Sequence, residues 1–180
     1  MARMVIDGFG QVELNNVAFR RDGRIEAQCA LDTAAFTSSV PCENGMILRV
    51  KKAEHKITFA DASAANQLYA LNYTSEHMYD ERQKGLKHFR LNAGEHLPRM
   101  GYQGAGDKYT TNCLAYDTEE FANDEALENA VKNVKSERLY AKACANGAHQ
   151  ITKEAEGALC LVLGATTMPD GQFAVKFQAL

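Results

Sequence analysis

Turn-forming dipeptides cut this chain into short apolar runs, and that spacing constrains the fold more than any other feature. Asp22-Gly23, Asn44-Gly45, Asn146-Gly147 and Asp170-Gly171 each join a residue that tolerates positive φ to a glycine. Several runs between them alternate apolar with polar side chains, the mark of a strand with one buried face. Ile25, Ala27 and Cys29, for example, alternate with Glu26 and Gln28.

Strands are therefore expected at Met46–Val50, Lys56–Ala60, Leu68–Tyr73, Lys87–Leu91, Lys108–Tyr116, Leu139–Cys144, His149–Thr152, Leu159–Leu163 and Phe173–Phe177. Val17–Arg21 and Arg24–Ala27 are expected to form a hairpin about Asp22-Gly23. Leu97–Tyr102 carries Pro98, which suits an edge position. Ser75–Lys84 reads as a loop with a turn of helix, and Asp32–Pro41 as a linker or long loop. One helix stands out. Leu127, Ala130, Val131 and Val134 fall on one face of Asp124–Val134, Asn123 is placed to cap its N-terminus, and Lys132 and Lys135 lie near its C-terminus. The expected fold is mainly β with one or two short helices. Residues 1–38 form an N-terminal arm and β-hairpin, and residues 39–180 a β-rich body with the helix inserted near 124–134.

A chain of 180 residues buries roughly 70% of its unfolded surface, enough to hold a core without disulfides. The five cysteines, Cys29, Cys42, Cys113, Cys144 and Cys160, are odd in number and contain no C-x-x-C. They read as free, buried thiols of a protein made in a reducing compartment. The net charge of −3 and the lack of a basic stripe argue against a nucleic-acid partner. Arg20, Arg21 and Arg24, like Arg49, Lys51 and Lys52, read as solvated strand ends. No membrane partner is expected, because the longest apolar stretches, such as Ala158–Leu163, are far too short to span a bilayer. Asp7 and Gly8 interrupt the N-terminal apolar run too early for a signal peptide. Asn72-Tyr73-Thr74 fits a glycosylation sequon that would be idle without secretion.

Chemistry is not announced. No G-x-S-x-G occurs, and Cys113 sits in an alternating strand pattern. His55, His77, His88, His96 and His149 show no i, i+4 pairing, although His88 and Glu95-His96 could converge if their strands paired. Gly101–Gly106 lacks both the G-x-G-x-x-G and Walker patterns, and Asp107 follows it. The acids Asp117, Glu119, Glu120, Asp124, Glu125 and Glu128 lack the EF-hand spacing. The expectation is a binding or structural protein, not an enzyme, with no cofactor and no metal. A cytosolic enzyme whose Cys113 or His88 site forms only in three dimensions is the alternative from another class. The apolar arm, Met4, Val5, Ile6 and Phe9, either pairs as an edge strand of its own domain or anchors on a partner.

The order of some motifs resembles tailed-phage capsid decoration proteins. Pro41-Cys42-Glu43-Asn44-Gly45-Met46-Ile47-Leu48 is similar to their opening "E-N-G then apolar strand". Phe89–Gly94, Arg99-Met100-Gly101-Tyr102 and Gly106-Asp107-Lys108-Tyr109-Thr110-Thr111-Asn112 resemble a later stretch with a "G-D-x-[FY]-T" strand entry. Pro169-Asp170-Gly171 looks like the turn of their closing hairpin. The likeness covers Pro41–Tyr116 and Gly157–Leu180. It implies a β-barrel-like (β-tulip) body and a homotrimer that binds the major capsid protein on the outside of the assembled head. The protein would then be made in the host cytoplasm and end in the virion, on the capsid surface, with Met4, Val5, Ile6, Phe9 and Phe19 as capsid-contact candidates. A head-fibre base or tail component is the neighbouring alternative. The N-terminal hairpin and the Asp124–Val134 helix depart from the small lambda-type members.

Overall fold

Runs that are apolar at every position have to be covered on both faces, and three strands of this chain are. In the computed structural model, which describes residues 1–61, 67–74 and 86–180, Ile47 and Leu48 point into different cores. So do Leu71 and Ala70, and Leu114 and Ala115. One core gathers Tyr109, Leu127, Val131, Val162, Val175 and Phe177; the other gathers Leu31, Phe36, Val50, Ile57, Leu91 and Met100.

Among the described residues there are fourteen strands and one α-helix. They are β1 (Ala2–Arg3), β2 (Val12–Asn16), β3 (Ile25–Glu26), β4 (Ala30–Leu31), β5 (Ile47–Lys51), β6 (Lys56–Thr58) and β7 (Tyr69–Asn72). After them come β8 (Met100–Gly101), β9 (Lys108–Thr111), β10 (Leu114–Tyr116), α1 (Asp124–Lys132), β11 (Tyr140–Ala143), β12 (His149–Thr152), β13 (Cys160–Thr167) and β14 (Phe173–Ala179). One sheet has the order β1-β10-β12-β11-β13-β14-β9-β2, the other β3-β8-β7-β5-β6-β4. Most ladders are antiparallel, but β10 runs parallel to β12 and β4 to β6.

Neither sheet closes, so the β-barrel (β-tulip) body implied by the resemblance does not form. Closure needs every strand to bond a neighbour on both sides. Here β1 and β2 end one sheet, β3 and β4 end the other, and each bonds a single neighbour. The strand expected over Lys108–Tyr116 also breaks in two. The Thr111 hydroxyl accepts from Cys113 N (3.0 Å) and donates to Gln11 O (2.6 Å), while Asn112 Oδ1 accepts from Gln11 N (2.7 Å). The first half, β9, joins β14 and β2; the second, β10, joins β12 and β1.

The first 38 residues are woven into the rest. All four of their strands pair with strands from beyond residue 39: β1 with β10, β2 with β9, β3 with β8 and β4 with β6. The hairpin expected about Asp22-Gly23 is a tight turn instead, with Arg21 N and Asp22 N both donating to Ala18 O at 2.9 Å. Phe19 explains this: its ring is fully buried against Tyr73, centroids 5.0 Å apart, which folds its own segment inward. Asp32–Pro41 is no linker either, because Phe36 is buried and its N–H donates to Asp32 O (2.8 Å). Lys87–Leu91 forms a 3-10 turn at Leu86–His88 and a single bridge from Leu91 to Cys42. Met100–Gly101 pairs on both sides, with β3 and β7, so the Pro98 segment is not an edge. The loop expected at Ser75–Lys84 lies outside the described residues.

The expected strands at Met46–Val50, Lys56–Ala60, Leu68–Tyr73, Leu139–Cys144, His149–Thr152, Leu159–Leu163 and Phe173–Phe177 all form, some with shifted ends. The helix forms as well. Asn123 Oδ1 accepts from Ala126 N (2.9 Å), Asp124 and Glu125 occupy its first turn, and Leu127 and Val131 are buried one turn apart. Replacing Asn123 with alanine removes an acceptor for an otherwise unpaired N–H. Urea unfolding of the Asn123→Ala protein should show a loss of about 1 kcal/mol.

Candidate functional site

The N-terminal arm is held at both ends by one carboxylate. Glu43 follows Cys42 at the entry to β5, where Asn44-Gly45 turns the chain. Its oxygens accept from Arg3 at 2.8 and 2.5 Å in a fork-to-fork pair, and Glu43 Oε2 also accepts from Gly10 N at 2.5 Å. A planar guanidinium suits this bidentate geometry. The Glu43 side chain is almost fully buried and that of Arg3 is 31% exposed, so the pair lies at the margin of the core.

Between those two anchors, the body satisfies the arm's backbone. Met4 N donates to Leu114 O (3.0 Å), Val5 N to Asp124 Oδ2 (3.0 Å), Asp7 N to Gln172 Oε1 (2.8 Å) and Phe9 N to Lys87 O (2.7 Å). Gln172 Nε2 returns a bond to Asp7 O (3.1 Å), and the Asp7 carboxylate pairs with Lys87. Gly8 has φ +87°, and a β-carbon there would stand 2.3 Å from Lys87 O, so only glycine lets the arm pass this close. The result is a braced ridge over residues 4–10, its backbone held to the body at several points and Val5 turned outward.

The contact candidates separate on this ridge. Met4 and Phe19 are buried in the protein's own core. Val5 is 83% exposed, the most open large apolar side chain among the described residues. Ile6 is partly exposed, and Phe9 is partly covered by the Arg90 guanidinium, 4.9 Å from its ring centre. Ala2–Arg3 pairs with β10 as an edge strand, while Val5 stays exposed and Ile6 and Phe9 partly so.

All five cysteines are buried and unpaired. Burial pushes the Cys113 thiol up to about 12 against the opposing pull of Arg3, whose Nη2 is 3.6 Å away. Tyr109 OH, His149 Nε2 and Cys160 Sγ form a second cluster, 2.7 Å from hydroxyl to imidazole and 3.0 Å from hydroxyl to thiol. The hydroxyl is within hydrogen-bond distance of both other groups, and burial keeps all three neutral. Burial holds Cys160 up at about 12 and His149 down at about 3, so this is no thiolate–imidazolium pair. All three residues have no exposed surface, so a substrate reaches them only if the core opens.

His88 and His96 join no group of metal-binding side chains among the described residues. Asp107 caps its glycine turn from within, accepting from Gly104 N (2.9 Å) and Ala18 N (2.5 Å). Glu120 accepts from Thr152 Oγ1 (2.7 Å) and Lys153 N (2.9 Å), and Asp124 from Tyr116 OH (2.7 Å). Asn72 is buried and donates to Glu43 O (2.9 Å), which closes the sequon to any glycosyl donor in the folded chain. Sequence reasoning missed the Arg3–Glu43 clamp and the Tyr109–His149–Cys160 cluster. Both join residues 40 or more positions apart, and no local pattern marks either.

No protein-family model, curated protein or solved structure matches this chain, so nothing found by comparison ties it to a capsid or virion protein.

Glu43→Ala strands the Arg3 guanidinium and Gly10 N together. Losing one partner of such a pair should cost about 3 kcal/mol in urea unfolding and speed amide exchange at Val5, Asp7 and Phe9. The pH response follows from His149. Its unfolded imidazole takes a proton near pH 6.5, whereas the folded one stays neutral down to about 3. Stability is therefore whole above 6.5 and falls as pH drops through that window, by up to about 1.4 kcal/mol per unit. Urea midpoints measured at pH 7 and pH 5 should separate for the natural chain and draw together in His149→Gln.

Proposed function

We propose that this protein is a virion structural subunit that attaches to the outside of an assembled phage head and stabilises it through contacts with the major capsid protein. The observation that carries this reading is the braced ridge, an outward Val5 on a backbone whose ends share one buried carboxylate. Binding costs less when the contact segment is ordered beforehand, because little conformational entropy remains to be lost. The motif order of Pro41–Tyr116 and Gly157–Leu180 supplies the partner, and the ridge supplies the means. Assembly as a homotrimer would present three ridges together, and several weak contacts would then act as one strong one.

Purified protein mixed with undecorated, expanded heads should co-sediment with them at micromolar concentration and raise the temperature at which they release DNA. Burying Val5 is worth about 1.5 kcal/mol, or roughly tenfold in affinity per ridge. Val5→Asp should therefore weaken attachment at least tenfold while leaving the melting temperature of the free protein unchanged. Heads left bare by the natural chain would end the proposal. Density at a tail or fibre position in image reconstructions of the particle would move the protein to a different virion role.

A further inference from the structure

Part of β13 has no sheet neighbour on its outer side. β14 runs beside it as far as Thr167, but β11 pairs only with Cys160 and Leu161. Val162 N still donates to Leu139 O (2.9 Å). From Leu163 to Thr167, no backbone hydrogen bond on that side occurs among the described residues. Five residues of strand span roughly 17 Å, and Leu163, Ala165, Thr166 and Thr167 are all exposed. Exposed edges are usually guarded by lysine, proline or an inward charge. The run Leu163-Gly164-Ala165-Thr166-Thr167 has none of these, and its one irregularity lies at its start, between Val162 and Gly164.

Two further observations concern the same edge. A shallow, open depression of about 420 Å³ lies between the end of α1 and the β13–β14 hairpin, lined by Lys132, Ala165, Thr166, Thr167, Gly171 and Phe173. Lys132 Nζ stands 5.7 Å from the centre of the Phe173 ring. The connector from α1 to β11 leads from Lys132, at the Thr166–Thr167 end, to Leu139, bonded to Val162. It carries Lys135 and Arg138, both exposed. Its acid, Glu137, is already paired with Lys153 at 3.2 Å. Lys132, itself paired with Glu128, stands at the edge, and the connector beyond it carries two more exposed cations.

We propose that the outer edge of β13 is a strand-addition site for an extended, acidic segment of a partner protein. The segment's backbone would pair with Leu163–Thr167, and its alternate side chains would lie over the depression. A carboxylate there would meet Lys132 in place of Glu128, whose exposed ion pair with that lysine (3.0 Å) is weak competition. Backbone pairing supplies affinity, and Lys132, Lys135 and Arg138 select for acidic residues. A second copy of this chain is the poorer occupant, since antiparallel pairing about Ala165 sets basic flank against basic flank.

The test uses a capped seven-residue peptide alternating glutamate and valine, and a counterpart with lysine in place of glutamate. Amide exchange of the whole protein, followed by NMR, reads the site. The acidic peptide should protect amides within Leu163–Thr167, and the basic one should not. Lys132→Glu and Arg138→Glu should each weaken the acidic peptide at least tenfold with unchanged urea midpoints. Val5→Asp should bind the peptide normally, which separates this site from the ridge. No protection at the edge, or equal binding of both peptides, overturns the proposal. An oxidised, folded Ala165→Cys protein should stay monomeric with respect to that thiol. A disulfide-linked dimer would assign the edge to a second copy and overturn it as well.

Discussion

One carboxylate sets the terms for the N-terminal half of this molecule. Glu43 accepts from Arg3 on one strand and from Gly10 N just before the next. Those strands, β1 and β2, lie at opposite ends of the same sheet, yet the chain between them is short. A carboxylate buried without partners would be driven to neutralise. Here the fork of Arg3 and an amide at hydrogen-bond distance remove that penalty. The anchoring fixes where the arm leaves the sheet and where it returns, so residues 4–10 have little freedom left. Asp124 at the start of α1 and Gln172 near the β13–β14 turn then take up two more of the arm's amides, those of Val5 and Asp7. A helix, a hairpin tip and the arm are thereby joined into one surface.

That arrangement separates two tasks that arms of this kind often combine. Ordering happens on the protein's own body, and in the proposed function contact with a partner falls to a few side chains. Met4 belongs to the first task and Val5 to the second, although they are neighbours in sequence. A segment ordered only on its target spends part of its interaction energy on that ordering. This ridge is ordered beforehand.

Much of the fold was legible because its cues are local. The apolar runs of β5 and β13, the turn at Asp170-Gly171 and the Asn123 cap all act within a few residues, and each element formed close to where its pattern lay. The failures were decided by distant partners. Asp22-Gly23 does turn the chain, with Gly23 at φ +69°, but Ile25–Glu26 prefers β8 to the preceding segment because Phe19 is drawn into the core. Arg24 then pairs with both Asp22 and Asp107, and nothing near Asp22 foretells the second partner. The expected strand over Lys108–Tyr116 was broken by the side chains of Thr111 and Asn112 reaching Gln11, a hundred positions away. The site was half visible. The apolar arm was plain in the sequence, but which of its side chains the body would keep depended on Leu114 and Glu43, which only the tertiary structure brings to it.

The strands that face both ways have a mechanical consequence. β5, β7 and β10 lend one set of side chains to each core, so neither sheet can loosen without exposing the back of the other. Damage at Leu48 is felt at Ile47 through the same backbone, and from there at Phe177 and the helix. Subunits built as independent lobes can shed one lobe under load and keep the other. Two cores that share strands favour a chain that gives way as a unit.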